Sequence, residues 1–322
     1  MKYWQISKEN IIENEVPTPE RQEGEIKVRI ARAVMSSSDL NLYKNSHSTT
    51  IPCRVGIGYA GEADEMSGIE IGTKVLLAPY QYSKDDKILI NGVDCDGYLR
   101  DFAVINLDSV YTLPKEIKEE DLYFIEYVAL AINVINQINI DTGHYITLVG
   151  INRLSLLIAQ LASYYQAIPI LVDNSQEKIN LAKDMGLDYT ICPTTEDAVA
   201  HINSLTGGNM SDFVVYSGSR EVTADDMLSY AHDGSVIVLA TNSPMISSSI
   251  SLDVLKLLEK NLKVITVTEA HKDIPAAINA LATGTVDTSH FDILEIKWED
   301  FPHYLKNYDS YKMKKLVVNC DM

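Results

Sequence analysis

Long hydrophobic runs are missing from this chain: no window approaches the roughly 18–20 uninterrupted apolar residues that a membrane-spanning helix needs. The opening residues, MKYWQISKENIIENEV, carry neither the apolar core nor the small-residue cleavage site of a secretory signal, so a cytoplasmic protein is expected. Cysteine is scarce as well. Cys53, Cys95, Cys192 and Cys320 stand far apart with no C-x-x-C pair, which excludes a dense disulfide framework or a metal knuckle and leaves reduced thiols. Positive charge is in short supply: 27 Lys and Arg face 45 Asp and Glu, a formal net charge of −18. Such a surface repels phosphate backbones, which argues against nucleic acid and anionic membranes as partners, while the charge by itself identifies no function.

Apolar material is plentiful by contrast. Of 322 residues 46% are hydrophobic, enough for an extensive core and, at this length, for two domains. From Tyr145 to Val267 apolar runs alternate with amphipathic stretches, the pattern of strands crossing over through helices into a parallel sheet. Strands are predicted at Tyr145–Gly150, Ile168–Asp173, Tyr189–Cys192, Asp212–Tyr216, Ser235–Ala240 and Leu262–Val267, the number that a doubly wound dinucleotide-binding sheet requires. Between the first two, Leu154, Leu157, Ile158, Leu161 and Ala162 recur at helical spacing, and a further helix stops at Gly186.

The preceding region has a different texture. Alternating Ile26, Val28 and Ile30 and frequent glycines predict a compact, mostly β domain. Pro114 and the charged stretch Lys115–Asp121 mark its end, before an apolar helix over Leu122–Ile138. Beyond Val267 come a helix over Asp273–Ala282, the segment Phe291–Ile296, a helix near Trp298–Tyr308 and a last strand Lys315–Asn319. That tail is too short for a third domain and is assigned to the first, giving 1–121 with 269–322 as one domain and 122–268 as the other.

A perfect G-x-G-x-x-G occurs at Gly56-Ile57-Gly58-Tyr59-Ala60-Gly61, but no helical period follows it, so a turn within the β domain is favoured over a phosphate loop. The loop belongs after YITLVG, where the sequence reads Gly150-Ile151-Asn152-Arg153-Leu154-Ser155. Asn152 and Ser155 replace the second and third glycines. The Asn152 amide is expected to point towards the phosphates, while Arg153 either donates to a phosphate or simply faces solvent. Asp173, ending the strand ILVD, stands where an acid receives ribose hydroxyls, which favours NAD over NADP; a helix cap for Ser175 onward is the other reading. Ser217, directly after Tyr216, completes the cofactor-binding set of Gly150, Asn152, Arg153, Ser155, Asp173 and Ser217.

These residues resemble a known family. Met35-Ser36-Ser37-Ser38-Asp39-Leu40 is similar to I-C-G-S-D-L, Pro52 to Gly61 to P-x-x-G-H-E-x-x-G, Gly72-Thr73-Lys74-Val75 to G-D-R-V, Gly97 to Val104 to G-G-F-A-E-Y-V, and Glu126-Tyr127-Val128-Ala129 to E-P-L-A. In that order, before a six-strand nucleotide fold, they resemble the medium-chain dehydrogenase/reductase superfamily. It includes zinc alcohol, sorbitol and threonine dehydrogenases and zinc-free quinone oxidoreductases. The resemblance implies an α/β protein: a GroES-like β-barrel catalytic domain with a Rossmann doubly wound parallel sheet inserted before its last segment. It also implies association as a homodimer or tetramer through Leu262–Val267.

The zinc chemistry that the resemblance would bring is not matched. Ser36, Ile57 and Gly58 occupy the positions of the cysteine, histidine and glutamate, leaving only Glu126, and one carboxylate cannot hold a metal that wants three protein ligands. The interval Leu76–Asp96, where the family's structural zinc lobe carries four cysteines, contains only Cys95. Among the seven histidines His47 lies nearest to Ser36 but forms no obvious ligand pairing. No metal is expected. The resemblance places Ser36, Ser38, Asp39, Tyr59 and Glu126 towards the substrate as donors and carboxylates, with Asn41 at a relay histidine position; Ser38 and Asp39 read equally well as a local helix cap. The expected function is a zinc-independent NAD(P)-dependent oxidoreductase acting on a small alcohol or carbonyl. The alternative is a catalytically inactive homologue that serves as a binding or regulatory protein.

Overall fold

The computed structural model describes the chain apart from residues 46–48, 63–66, 84, 86, 218–223, 241–251, 269–270, 312–313 and 322. Contacts divide it into two units, Met1–Tyr123 with Phe291–Met322, and Phe124–His290. The first unit opens with β1 (Lys2–Ser7), β2 (Asn10–Glu15), β3 (Glu25–Val34), α1 (Ser37–Asn45), β4 (Val55–Ala60), β5 (Lys74–Leu77), β6 (Tyr80–Tyr82), β7 (Ile88–Ile90), β8 (Phe102–Asn106), β9 (Val110–Thr112) and the single turn α2 (Glu119–Leu122). The second contains α3 (Ile125–Ile138), β10 (Tyr145–Val149), α4 (Arg153–Tyr164), β11 (Ile168–Val172), α5 (Gln176–Asp184), β12 (Thr190–Ile191), α6 (Ala198–Leu205), β13 (Ser211–Tyr216), α7 (Ala224–Ser229), β14 (Ala231–Ala240), α8 (Val254–Glu259), β15 (Lys263–Val267) and α9 (Ile274–Ala282). The chain then returns to the first unit with β16 (Ile293–Lys297), α10 (Phe301–Lys306) and β17 (Lys315–Asn319).

In the first unit the sheet runs β16-β17-β3-β4-β5-β9, with β8 also pairing β3. The alternation of Ile26, Val28 and Ile30 buries one face of β3, and a register shift between Ile30 and Arg32 then brings Ala33 into the same core. That irregularity lets one strand serve two partners: its first half pairs with β8 and its second half with β17. The glycine motif Gly56–Gly61 forms β4 itself, between β3 and β5, so it is a central strand and not the turn expected from sequence. A Cβ at Gly58 would run into the Arg29 carbonyl oxygen and, at 2.8 Å, Val28 Cγ1; one at Gly56 would lie 2.9 Å from Tyr98 Cβ. Close backbone packing is what these glycines permit.

The second unit is a six-stranded parallel sheet in the order β12-β11-β10-β13-β14-β15. Its central strands are apolar along most of their length because helices cover both faces of such a sheet. β14 starts at Ala231, earlier than the apolar run from Ser235 indicates. The order reverses between β10 and β13, and crevices at such points outside the strands' carboxyl ends are where α/β sheets take ligands. Helix α9 departs from the sequence assignment: its buried Ile274, Ala277, Ile278 and Leu281 belong to an amphipathic helix packed on α3, so the second unit extends to His290. The helix expected over Leu122–Ile138 is broken after α2, and the one near Trp298–Tyr308 reduces to α10 with single 3-10 turns on either side. Among the described residues no helix is long and apolar enough to cross a membrane.

Candidate functional site

At the end of β10, Gly150 adopts a left-handed φ of 89°, a conformation open to glycine, and the chain turns into α4. Asn152 caps that helix. Its Oδ1 accepts the N–H groups of Leu154 (2.9 Å) and Ser155 (3.2 Å), while its own N–H donates to Ser155 Oγ at 2.8 Å, a reciprocal capping box. The amide nitrogen donates to the carbonyl and the hydroxyl of Ser217, at 3.0 and 2.9 Å. Ser217 in turn donates to the Gly150 carbonyl at 3.2 Å. The Asn152 amide is thus turned onto the helix and the end of β13, not outward to where phosphates were expected. Ser155 is fully buried, and its small side chain closes the helix against the strand. Arg153 places its guanidinium 5.9 Å from the centre of the Phe124 ring, a stacked position that neither sequence alternative anticipated.

Asp173 follows β11 and is fully buried. Its Oδ2 accepts the Ile151 N–H (2.7 Å) and the Lys178 ammonium (3.1 Å), and its Oδ1 accepts the Ser175 N–H (2.9 Å). A carboxylate offers about four acceptor positions, so three are already taken. Neither sequence reading describes these bonds: Ser175, not Asp173, caps α5, and in the free protein Asp173 instead holds the loop N–H groups of Ile151 and Ser175 and the Lys178 ammonium. Lys178 was missed; its place in the first turn of α5, one side-chain length from Asp173, was the available signal.

In the first unit, Ser36, Ser38 and Asp39 come together at the start of α1. The Ser36 and Ser38 hydroxyls are 2.5 Å apart, and Ser36 Oγ also donates to Asp39 Oδ2 at 3.4 Å. Asp39 is buried and accepts the backbone N–H groups of Ser36 (2.8 Å) and Cys53 (2.9 Å), the second of which holds Cys53 in its left-handed turn at φ 71°. Burial raises the Cys53 thiol well above its usual range; Asp39 and Cys320 add to that rise and Lys315 opposes it. The thiol is accordingly inert.

Tyr59 does not join this cluster. It pairs with Arg29 at the far end of the β3–β4 ladder from Val34 and Val55, and its ring lies 5.2 Å from the Arg29 guanidinium in a pocket shared with Lys27 and Phe102. The resemblance groups it with Ser36 by motif position, which does not fix where along the β3–β4 ladder the side chain lies. Glu126 belongs to the second unit, buried in the first turn of α3. His47 lies outside the described residues.

Ile57 is buried within β4 and Gly58 is packed against β3, so with Ser36 the positions implied for zinc ligands present one hydroxyl and no nitrogen, thiolate or carboxylate. This donor set does not fit zinc, and among the described residues no three His, Cys, Asp or Glu side chains form a metal-holding group. The left-handed Gly150 and the N-terminus of α4 are the groups that would hold a dinucleotide's pyrophosphate, and it is the Asn152 side chain that occupies that helix end.

Comparison with known proteins agrees with this frame. Residues 154–283 match the family model for zinc-binding dehydrogenases. An uncharacterized zinc-type alcohol dehydrogenase-like protein of Haemophilus influenzae is 22% identical over 332 residues, spanning 96% of this chain and 95% of that one. A short chain alcohol dehydrogenase of E. coli CFT073, solved with its cofactor NADH, superposes with a TM-score of 0.83 at 19% identity, over 99% of both chains. A putative zinc-binding dehydrogenase of Sinorhizobium meliloti 1021, bound to NADP, gives a TM-score of 0.85 at 19% identity, over 99% of this chain and 98% of that one. With its GroES-like and Rossmann units and its switch-point loop, the chain has the fold of the zinc-type alcohol dehydrogenase-like medium-chain dehydrogenases/reductases, and its residues 154–283 match their family model.

Proposed function

We propose that the protein is a nicotinamide-dependent oxidoreductase that interconverts a small alcohol and its carbonyl without catalytic zinc. The nicotinamide, when bound, supplies or accepts the hydride. The residues that support this reading are the paired hydroxyls of Ser36 and Ser38, 2.5 Å apart and tied to Asp39. Hydride transfer leaves or removes charge on the substrate oxygen, and a hydroxyl donor is one way to meet that charge where zinc is another. Ser36 is the less buried of the two hydroxyls and is the one we assign as donor to the substrate oxygen, with the Ser38 hydroxyl positioned to return a proton to Ser36 Oγ and Asp39 holding Ser36. NAD is the expected cofactor, since an acid stands at the end of β11; with the Asp173 carboxylate buried, ion-paired to Lys178 and bonded to two backbone N–H groups, discrimination against a 2′-phosphate is expected to be no more than about tenfold.

The test is a chelator-dialysed preparation assayed with NAD and NADP against a panel of short alcohols and aldehydes, alongside elemental analysis. Turnover with far less than about one zinc per chain, lost in Ser36→Ala, is the expected result. A zinc requirement, or no turnover on any substrate with either cofactor, would overturn it.

We also infer a homodimer or tetramer. β15 is an edge strand of the second unit's sheet, and α8 exposes Val254, Leu255 and Leu258 at 63, 68 and 71%. Apolar side chains beside an open sheet edge suit a second copy of the chain. Light scattering should give a multiple of the chain mass for the wild type and a monomer for Leu258→Asp; a monomeric wild type would remove the inference.

A further inference from the structure

We propose that Asn152 is a built-in competitor for the dinucleotide pyrophosphate, so that cofactor binding in this protein requires opening of the helix cap and its affinity is set by that opening. The proposal rests on the nicotinamide reading above and adds a control element to the same crevice. A helix leaves its first N–H groups without partners inside the helix, which is why such an end attracts phosphate. Here the chain itself supplies partners for the N–H groups of the cap and of the second and third helical residues. The N–H groups of Leu154 and Ser155 are held by Asn152 Oδ1, that of Asn152 by Ser155 Oγ, and that of Ile151 by Asp173.

The other end of the Asn152 amide is anchored as firmly, by two hydrogen bonds to Ser217 beyond β13. One side chain therefore ties the start of α4 to the end of the neighbouring strand, across the point where the strand order reverses. A pyrophosphate at the α4 N-terminus competes for donors that the amide already holds, and the amide must rotate away from both helix and Ser217 together. When the binding-competent state is a minor one, apparent affinity falls in proportion to its population. Removing the amide abolishes that penalty while keeping the fold, because glycine is itself an acceptable N-cap.

The test compares wild type, Asn152→Gly and Ser217→Ala by calorimetric titration with NADH, NADPH and inorganic pyrophosphate, together with amide hydrogen exchange of Leu154 and Ser155 in the free proteins. Asn152→Gly should bind both dinucleotides at least about tenfold tighter than wild type, equivalent to ~1.4 kcal/mol, and Ser217→Ala should fall between the two. The two amides should be protected in wild type and exchange faster in the glycine variant. If both proteins bind NADH with equal micromolar affinity, the competitor proposal falls and the nicotinamide reading stands. If neither binds a dinucleotide but pyrophosphate binds the glycine variant more tightly than wild type, the cap stands and the nicotinamide reading falls. If pyrophosphate distinguishes nothing and the two amides exchange alike, the proposal is overturned.

Discussion

Gly58→Ala should leave little folded protein. The added methyl would run into the Arg29 carbonyl oxygen and stand 2.8 Å from Val28 Cγ1, and the carbonyl belongs to a strand bonded on both sides. A flexible side chain could retreat; a ladder backbone cannot do so without losing its own hydrogen bonds. Overpacking against backbone of this kind costs on the order of 3 kcal/mol or more. Gly24→Ala makes the contrast, since nothing lies within 4 Å of its Cβ and only the left-handed backbone at φ 80° resists, roughly 1–2 kcal/mol. Soluble yield and the thermal midpoint by circular dichroism check both. A Gly58→Ala variant that melts within a few degrees of wild type would show that β3 and β4 separate more easily than their register implies.

The second large effect is expected at Asp173. Alanine there withdraws the acceptor from two backbone donors, Ile151 N–H and Ser175 N–H, at a fully buried position. Each buried donor left unpaired costs roughly 1–3 kcal/mol, so a destabilisation on the order of 2–6 kcal/mol follows. Lys178 contributes little to that figure, because its ammonium is 30% exposed and can rehydrate; Lys178→Ala should cost less than about 1 kcal/mol. Urea midpoints for the two variants measure the difference, and equal midpoints would mean that the ion pair, not the backbone bonds, is what Asp173 provides.

The parallel sheet was legible because its chemistry is continuous. Strands buried on both faces read as uninterrupted apolar runs, and Tyr145–Val149, Ile168–Val172 and Ser211–Tyr216 fall within a residue of where those runs lie. The arrangement within the site was not legible to the same degree. Against a phosphate-loop pattern Asn152 reads as a lost glycine, but Asn152 with Ser155 three residues on is also a capping pattern, and that is what forms. Asp173 was placed correctly at its strand end, yet its engagement by Ile151 and Lys178 depends on how the loop folds over it. Helix α9 moved between domains because an amphipathic helix records that it has an apolar face but not which helix will cover it.

The hairpin of β6 and β7, standing where relatives would carry a cysteine lobe, closes on Asn91. That fully buried residue donates from Nδ2 to the Ala78 carbonyl (2.8 Å) and the Tyr98 hydroxyl (2.9 Å), and its Oδ1 accepts from Gln81 (2.6 Å) and the Cys95 thiol (3.2 Å). The residue after it is Gly92, and an Asn-Gly pair in a loose chain is the sequence most prone to deamidation, by attack of the glycine nitrogen on the asparagine side chain. Here that nitrogen donates to the Cys95 carbonyl at 2.8 Å and the side chain is held at both ends, so the folded molecule resists this reaction. Chemical ageing at Asn91 is then confined to molecules that have opened, and the aspartate it leaves would have to return to a buried site built for an amide. An unfolding event long enough for this chemistry thus leaves a covalent mark that opposes refolding.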